Sequence, residues 1–138
     1  MGKLIKCAIS LGARYYPEDG EGWQPYRISW GGGGIEGVAR FSCDDEDEAC
    51  CLVLIQVLRR LLDMLRLAGE EPLNLALEVE VDSRGMFRQL KNPRARRRPL
   101  RLRHRRARAL LAGFGRALLI PSWDKGNRTP CRERPVAA

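Results

Sequence analysis

The stretch DDEDEACCLVLIQVLRRLLDMLRLAG, residues 44–69, constrains the fold more than any other part of the chain. Gln56, Arg59, Arg60, Asp63 and Arg66 recur every three or four positions, with Leu, Val, Ile and Met between them. That period predicts a helix with a broad apolar face, running from about Asp45 to Leu67 and stopped by Gly69. The five acids Asp44 to Glu48 fall in its first turn, where they complement the helix dipole and cap free amides. A face of this width must be buried against other elements.

The segments on either side read as strands. KLIKCAISLGA (residues 3–13) is mainly apolar, and Tyr16–Pro25 is a Gly-, Asp- and Pro-rich turn cluster. YRISW (Tyr26–Trp30) alternates, and IEGVARFSC after the glycines Gly31–Gly34 suggests a third strand, so the N-terminal third forms an antiparallel meander. The four glycines lack the Lys-Ser/Thr of a phosphate-binding loop and precede no helix, so they read as a hairpin connection supplied with positive φ. After the long helix, PLNLALEVEVDS places Leu75, Leu77, Val79 and Val81 on one strand face, with Glu78 and Glu80 on the other. RGMFRQL then turns helical through Met86, Phe87 and Leu90, and Asn92–Pro99 reads as a basic linker. From Leu100 a stripe of Leu100, Ala107, Leu111, Phe114 and Leu118 marks a second helical period, with Gly113 and Gly115 weakening its end. Ala117–Trp123 is a last strand. We expect one domain over residues 1–123, with a basic helical segment at 91–116 and an irregular tail at 124–138.

At 138 residues and 44% hydrophobic content the chain suits a single globular body. Its net charge of +8 is unevenly spread: residues 1–83 carry 8 Lys+Arg against 15 Asp+Glu, and residues 84–138 carry 17 against 2. An acidic body with a strongly basic C-terminal third makes RNA or DNA the expected partner. Nine arginines lie between Arg94 and Arg108: Arg94, Arg96, Arg97, Arg98, Arg101, Arg103, Arg105, Arg106 and Arg108. On a helix Arg101, Arg105 and Arg108 share a side and Arg103 and Arg106 flank it, a cylinder suited to a phosphate backbone. Aromatic residues are absent between Arg84 and Arg108 apart from Phe87, so contact with the backbone is expected there, without base stacking. The competing readings of the arginine run are a solvated face, a localisation signal or an arm that docks a protein. His104, the lone histidine, reads as another surface polar group.

Several function classes are set aside. No apolar run approaches the roughly 20 residues of a membrane span. The opening MGKLIKCAISLGARYYP mimics a secretion signal, but Lys6 and Arg14 interrupt its apolar segment, and position 6 lacks the Ser or Thr of a myristoylation site. The five cysteines, at positions 7, 43, 50, 51 and 131, form no CxxC pair. With one histidine in the chain, zinc has too few ligands. Cys50 and Cys51 read as buried helix thiols. The NRTP sequon at Asn127 is discounted because a proline follows it and the expected location is intracellular, cytoplasmic or nuclear.

Three stretches carry a family resemblance. VEVDSRGMFRQL is similar to the strand-Asp-Ser-helix segment of ribonuclease H-like proteins, EACCLVLIQVLRRL resembles the helix that bears their catalytic glutamate, and SWDKGN resembles the stretch near their last strand. The resemblance covers about residues 3–127. It implies an α/β fold with a mixed sheet in the order βββαβααβ, beginning with a three-strand antiparallel meander. It also implies a metal-dependent nuclease whose carboxylates hold Mg2+ or Mn2+. Matched position by position, Asp82 is the strand-end aspartate and Glu48 the helix glutamate, both as catalytic residues and as metal ligands. A basic protrusion after the fourth strand grips the hybrid in that family, and the arginine run sits at a comparable place. The first strand departs from the pattern, with Ile9, Ser10 and Leu11 where an aspartate belongs. The final carboxylate is also missing from its place: Asp124 is off-position, and Asp19 enters only if the first strand is shifted. The simpler roles are Asp82 as the cap of the next helix and Glu48 as a first-turn acid. Two functions follow: a nucleic-acid-binding ribonuclease H-like protein, a nuclease if its incomplete carboxylate set suffices, or a non-catalytic binding or assembly protein. The second would hold RNA or DNA through its arginines and dock a protein partner through its acidic body.

Overall fold

The computed structural model describes residues 4–16, 21–43, 45–91, 98–123 and 129–130. The long amphipathic segment forms α1, Glu46–Ala68. Asp45 caps it by accepting from the Glu48 amide at 2.9 Å, and Gly69 ends it at φ 68. Its apolar face, from Ala49 through Val53, Val57 and Leu58 to Leu61, is buried.

That face lies on a sheet made of β1 (Ile5–Leu11), β2 (Gly22–Trp30), β3 (Gly33–Phe41), β4 (Leu75–Val81), β5 (Arg116–Pro121) and the short β6 (Thr129–Pro130). The spatial order is β3-β2-β1-β4-β5-β6. β1, β2 and β3 pair antiparallel as a meander, β4 runs parallel to both β1 and β5, and β6 is antiparallel to β5. The alternation of β4 is realised fully: Leu75, Leu77, Val79 and Val81 are buried, and Ala76, Glu78 and Glu80 are half-buried on the opposite face. Between β4 and β5 come α2 (Arg84–Lys91) and α3 (Arg98–Ala112). α2 buries Met86, Phe87 and Leu90, and α3, which packs against α1, buries Ala107 and Leu111.

Four details differ from the sequence reading. β2 begins at Gly22, because Pro25, although it lacks an N–H, offers its carbonyl to the Gly12 amide at 2.8 Å. Trp23 and Tyr15 also exchange backbone bonds of 3.1 and 2.9 Å. The hairpin turn is Gly31–Gly32 with Trp30 paired to Gly33, yet neither glycine uses the left-handed region, where Gly69 alone sits among the described residues. α3 starts at Arg98, which places Pro99 in the first turn, where its missing N–H costs nothing. Thr129–Pro130 adds a strand where only an irregular tail is expected.

Gly115 ties the turn before β5 to the segment before β4: its amide donates to Pro72 at 3.2 Å, and a Cβ there would collide with the Leu73 backbone carbonyl. Gly115→Ala is expected to cost about 1–3 kcal/mol, because the obstacle is backbone with no rotamer to yield. Urea denaturation of the variant beside the parent chain measures it.

Candidate functional site

Extending the parallel register Ile9↔Val79 three residues further sets Gly12 beside Asp82 at the ends of β1 and β4. No first-strand carboxylate reaches this point: Ile9 is in the core, and Ser10 is exposed. A guanidinium comes instead. Arg14, just beyond β1, forms an ion pair with Asp82 Oδ1; the two side chains are 7% and 17% exposed. Gln24, fully buried on β2, closes a ring around the pair. Its Nε2 donates to Asp82 Oδ2 at 2.6 Å and to the Gly12 carbonyl at 2.9 Å, and its Oε1 accepts from Arg14 Nε at 3.2 Å. The α1 side chain that reaches this centre is Cys50, whose thiol is pushed far up by burial first and by the Asp82 carboxylate second. Asp82 therefore meets a guanidinium, an amide N–H and a thiol.

Asp82 is not the cap of α2. That role falls to Ser83, whose Oγ accepts from the Met86 amide at 3.2 Å and whose carbonyl accepts from Phe87 at 2.8 Å. Ser83 Oγ in turn donates to Asp47 on α1, and the Asp47 carboxylate lies where a Cβ on Gly85 would stand. One helical position on, Glu48 forms an ion pair with Arg103 of α3. Asp82 is thus held by Arg14 and Gln24, and Glu48 is engaged by α3.

His104 corrects a sequence expectation. It is 3% exposed on the inner face of α3 and completes a stripe with Ala107 and Leu111; neither ring nitrogen has a hydrogen-bond partner among the described residues. Burial lowers its pKa, the Asp47 carboxylate opposes that shift, and Arg108 adds to it. A histidine whose folded pKa is depressed binds fewer protons folded than unfolded once pH falls to about 6.5. Its contribution is complete above that pH and is lost as pH falls towards the folded pKa. The urea midpoint is expected to drop between pH 7 and pH 5, and to drop less in His104→Leu.

The basic face is partly laid out. Arg105 and Arg106 are exposed on α3, Arg103 and Arg108 are half-buried, and Arg103 is engaged by Glu48. Arg94, Arg96 and Arg97 lie outside the described residues, as do the side chains of Arg98 and Arg101 and the acids Asp19 and Asp124. Arg84 and Arg88 on α2 are also exposed, and Arg84 sits over the Trp123 ring at 5.0 Å. The sequence reading gave no site role to Arg14 or Gln24, and used Trp123 only as the end of the last strand and as part of SWDKGN. Gln24 alone carried a local signal, since it shares the alternation of Tyr26 and Ile28.

A meander, a long helix, a strand, two helices and a parallel strand, in sheet order β3-β2-β1-β4-β5, define the ribonuclease H-like α/β fold. Among solved structures the chain is similar to RNase H1 from the halophilic archaeon Halobacterium salinarum NRC-1, with a TM-score of 0.60 and 24% sequence identity over 85% of this chain and 83% of that one. No family model matches, and no curated protein matches. At that identity the likeness establishes the fold.

The magnesium or manganese implied by the fold does not suit the described residues. Hard cations need several oxygen ligands. Among the described residues no group of three or more His, Cys, Asp or Glu side chains is placed to hold an ion. The one carboxylate at the strand ends is already neutralised by a cation and surrounded by donors. No described helix is long and apolar enough to cross a membrane.

Proposed function

We propose that this chain is a nucleic-acid-binding protein that uses a ribonuclease H-like scaffold to hold a phosphate backbone, without metal-dependent cleavage at Asp82. The observation that carries the reading is α3. Its His104–Ala107–Leu111 stripe turns inward and leaves Arg105 and Arg106 outward, within a third of the chain that carries 17 basic and 2 acidic residues. Guanidinium groups along a helix contact phosphates irrespective of base identity, with affinity that falls steeply as salt rises. The arginine pair with Asp82 supports a binding role over a hydrolytic one, because it occupies the carboxylate on which a metal would depend.

The test incubates the chain with hybrid, duplex and single-stranded substrates, with and without magnesium, and scores retention and cleavage together. Retention at low salt, insensitive to chelator and without cleavage, is the expected result. Magnesium-dependent cleavage that Asp82→Asn abolishes would restore the nuclease reading, which the strand-end position of Asp82 in this fold favours. No retention of any nucleic acid would favour docking of the arginine region on an acidic protein.

A further inference from the structure

We propose that the sheet edge at the ends of β1, β4 and β5 and the start of β2 is a stacking surface for unpaired nucleobases, so that the chain takes single-stranded nucleic acid there. This rests on the nucleic-acid reading above and narrows it to a form of substrate. Four large aromatic side chains stand exposed along this edge: Trp23 at 38%, Tyr15 at 53%, Tyr16 at 44% and Trp123 at 40%. Trp23 and Tyr15 share the open face of the sheet, opposite the buried Gln24, while Tyr16 and Trp123 lean on Phe41 and Phe87 on the helix-covered side, so the strand ends carry aromatic rings on both sides.

Each end of the edge is built as a platform. Tyr15 and Trp23 lie 5.1 Å apart at 30°, held in place by the mutual backbone bonds of their residues. On the other side the Ser122 amide donates to Val81 at 2.9 Å and anchors the turn that presents Trp123. The Trp123 ring meets Phe87 edge-on at 5.6 Å and carries the Arg84 guanidinium at 5.0 Å. A cation over an indole, with Arg88 also exposed on the same helix, matches bases joined by phosphates better than an apolar partner. Arg14 donates to the Tyr16 hydroxyl and Glu46 bears on it as well, so the tyrosine side suits a neutral base face and the α2 side, with Arg84 and Arg88, suits the phosphates.

Every base has a π face, and each base stacked on an aromatic residue contributes enough for truncation to cost roughly 5- to 150-fold in affinity. The experiment measures binding of a labelled single-stranded 12-mer, the same strand with abasic sites, and a duplex, at low salt. The proteins are the parent chain, Trp123→Ala, Trp123→Phe and Tyr15→Ala. The expected result is single-strand affinity lowered at least fivefold in Trp123→Ala and Tyr15→Ala and largely restored in Trp123→Phe, with duplex affinity within twofold of the parent. The abasic strand should bind parent and variants alike. Unchanged single-strand affinity in Trp123→Ala and Tyr15→Ala, with salt-sensitive binding intact, would overturn the stacking surface and leave backbone binding standing. Absence of binding to every nucleic acid by the parent chain would remove both.

Discussion

Asp82→Ala is expected to lower the free energy of unfolding by about 3–5 kcal/mol, because it strands the Arg14 guanidinium, 7% exposed, without its counter-ion. Gln24 would also lose one acceptor for its amide while remaining fully buried. The double variant Arg14→Met/Asp82→Leu should regain at least half of that loss, since an apolar pair of similar volume commonly replaces a buried ion pair at little cost. Urea unfolding of the parent, both single variants and the double variant gives the coupling directly. The same titrations test the metal reading. An ion bound at 0.1 mM and supplied at 10 mM would stabilise the folded state by about 2.7 kcal/mol, and the parent midpoint is expected to stay where it is. A loss below about 1 kcal/mol in Asp82→Ala, or a clear gain with magnesium, would mean that Arg14 is not the partner on which the carboxylate depends.

Arg105→Gln/Arg106→Gln is expected to weaken nucleic-acid binding roughly 10- to 100-fold near 0.1 M salt, and to reduce the slope of log affinity against log salt by about 2. Both side chains are exposed on α3, so stability should hardly move. Arg103→Gln makes an instructive contrast. Arg103 pairs with Glu48 across the α1–α3 contact, and its loss should alter the docking of α3 more than the salt slope. Equal slopes for parent and Arg105→Gln/Arg106→Gln would mean that the phosphates are held elsewhere, with Arg84 and Arg88 the next candidates.

Much of the scaffold is legible in the chain because its signals are local. The period of α1, its acidic first turn, its stop at Gly69, and the switch at Asp82–Ser83 from alternation to helix each depend on residues a few positions apart. These patterns state which face is apolar, and burying that face is the dominant favourable term in folding. Glycine and proline mislead locally: Pro25 reads as a turn residue, yet it lies within β2 and its carbonyl accepts from Gly12 just past β1. Histidine misleads too, for the stripe that accounts for Ala107 and Leu111 also carries His104 inward.

The centre at the strand ends was decided by tertiary structure alone. Asp82 meets Arg14 and Gln24, which lie 68 and 58 residues away in sequence, and nothing periodic marks either as its partner. Trp123 likewise lies far along the chain from Arg84, and only the parallel pairing of β4 with β5 brings the two together. The sequence by itself determined that Asp82 would stand at a strand end before a short helix, because the alternation of side chains and the change of period are properties of neighbouring residues. Whether that carboxylate faces a metal or an arginine depends on which side chains the other strands deliver to the same few ångströms, and folding alone makes that choice.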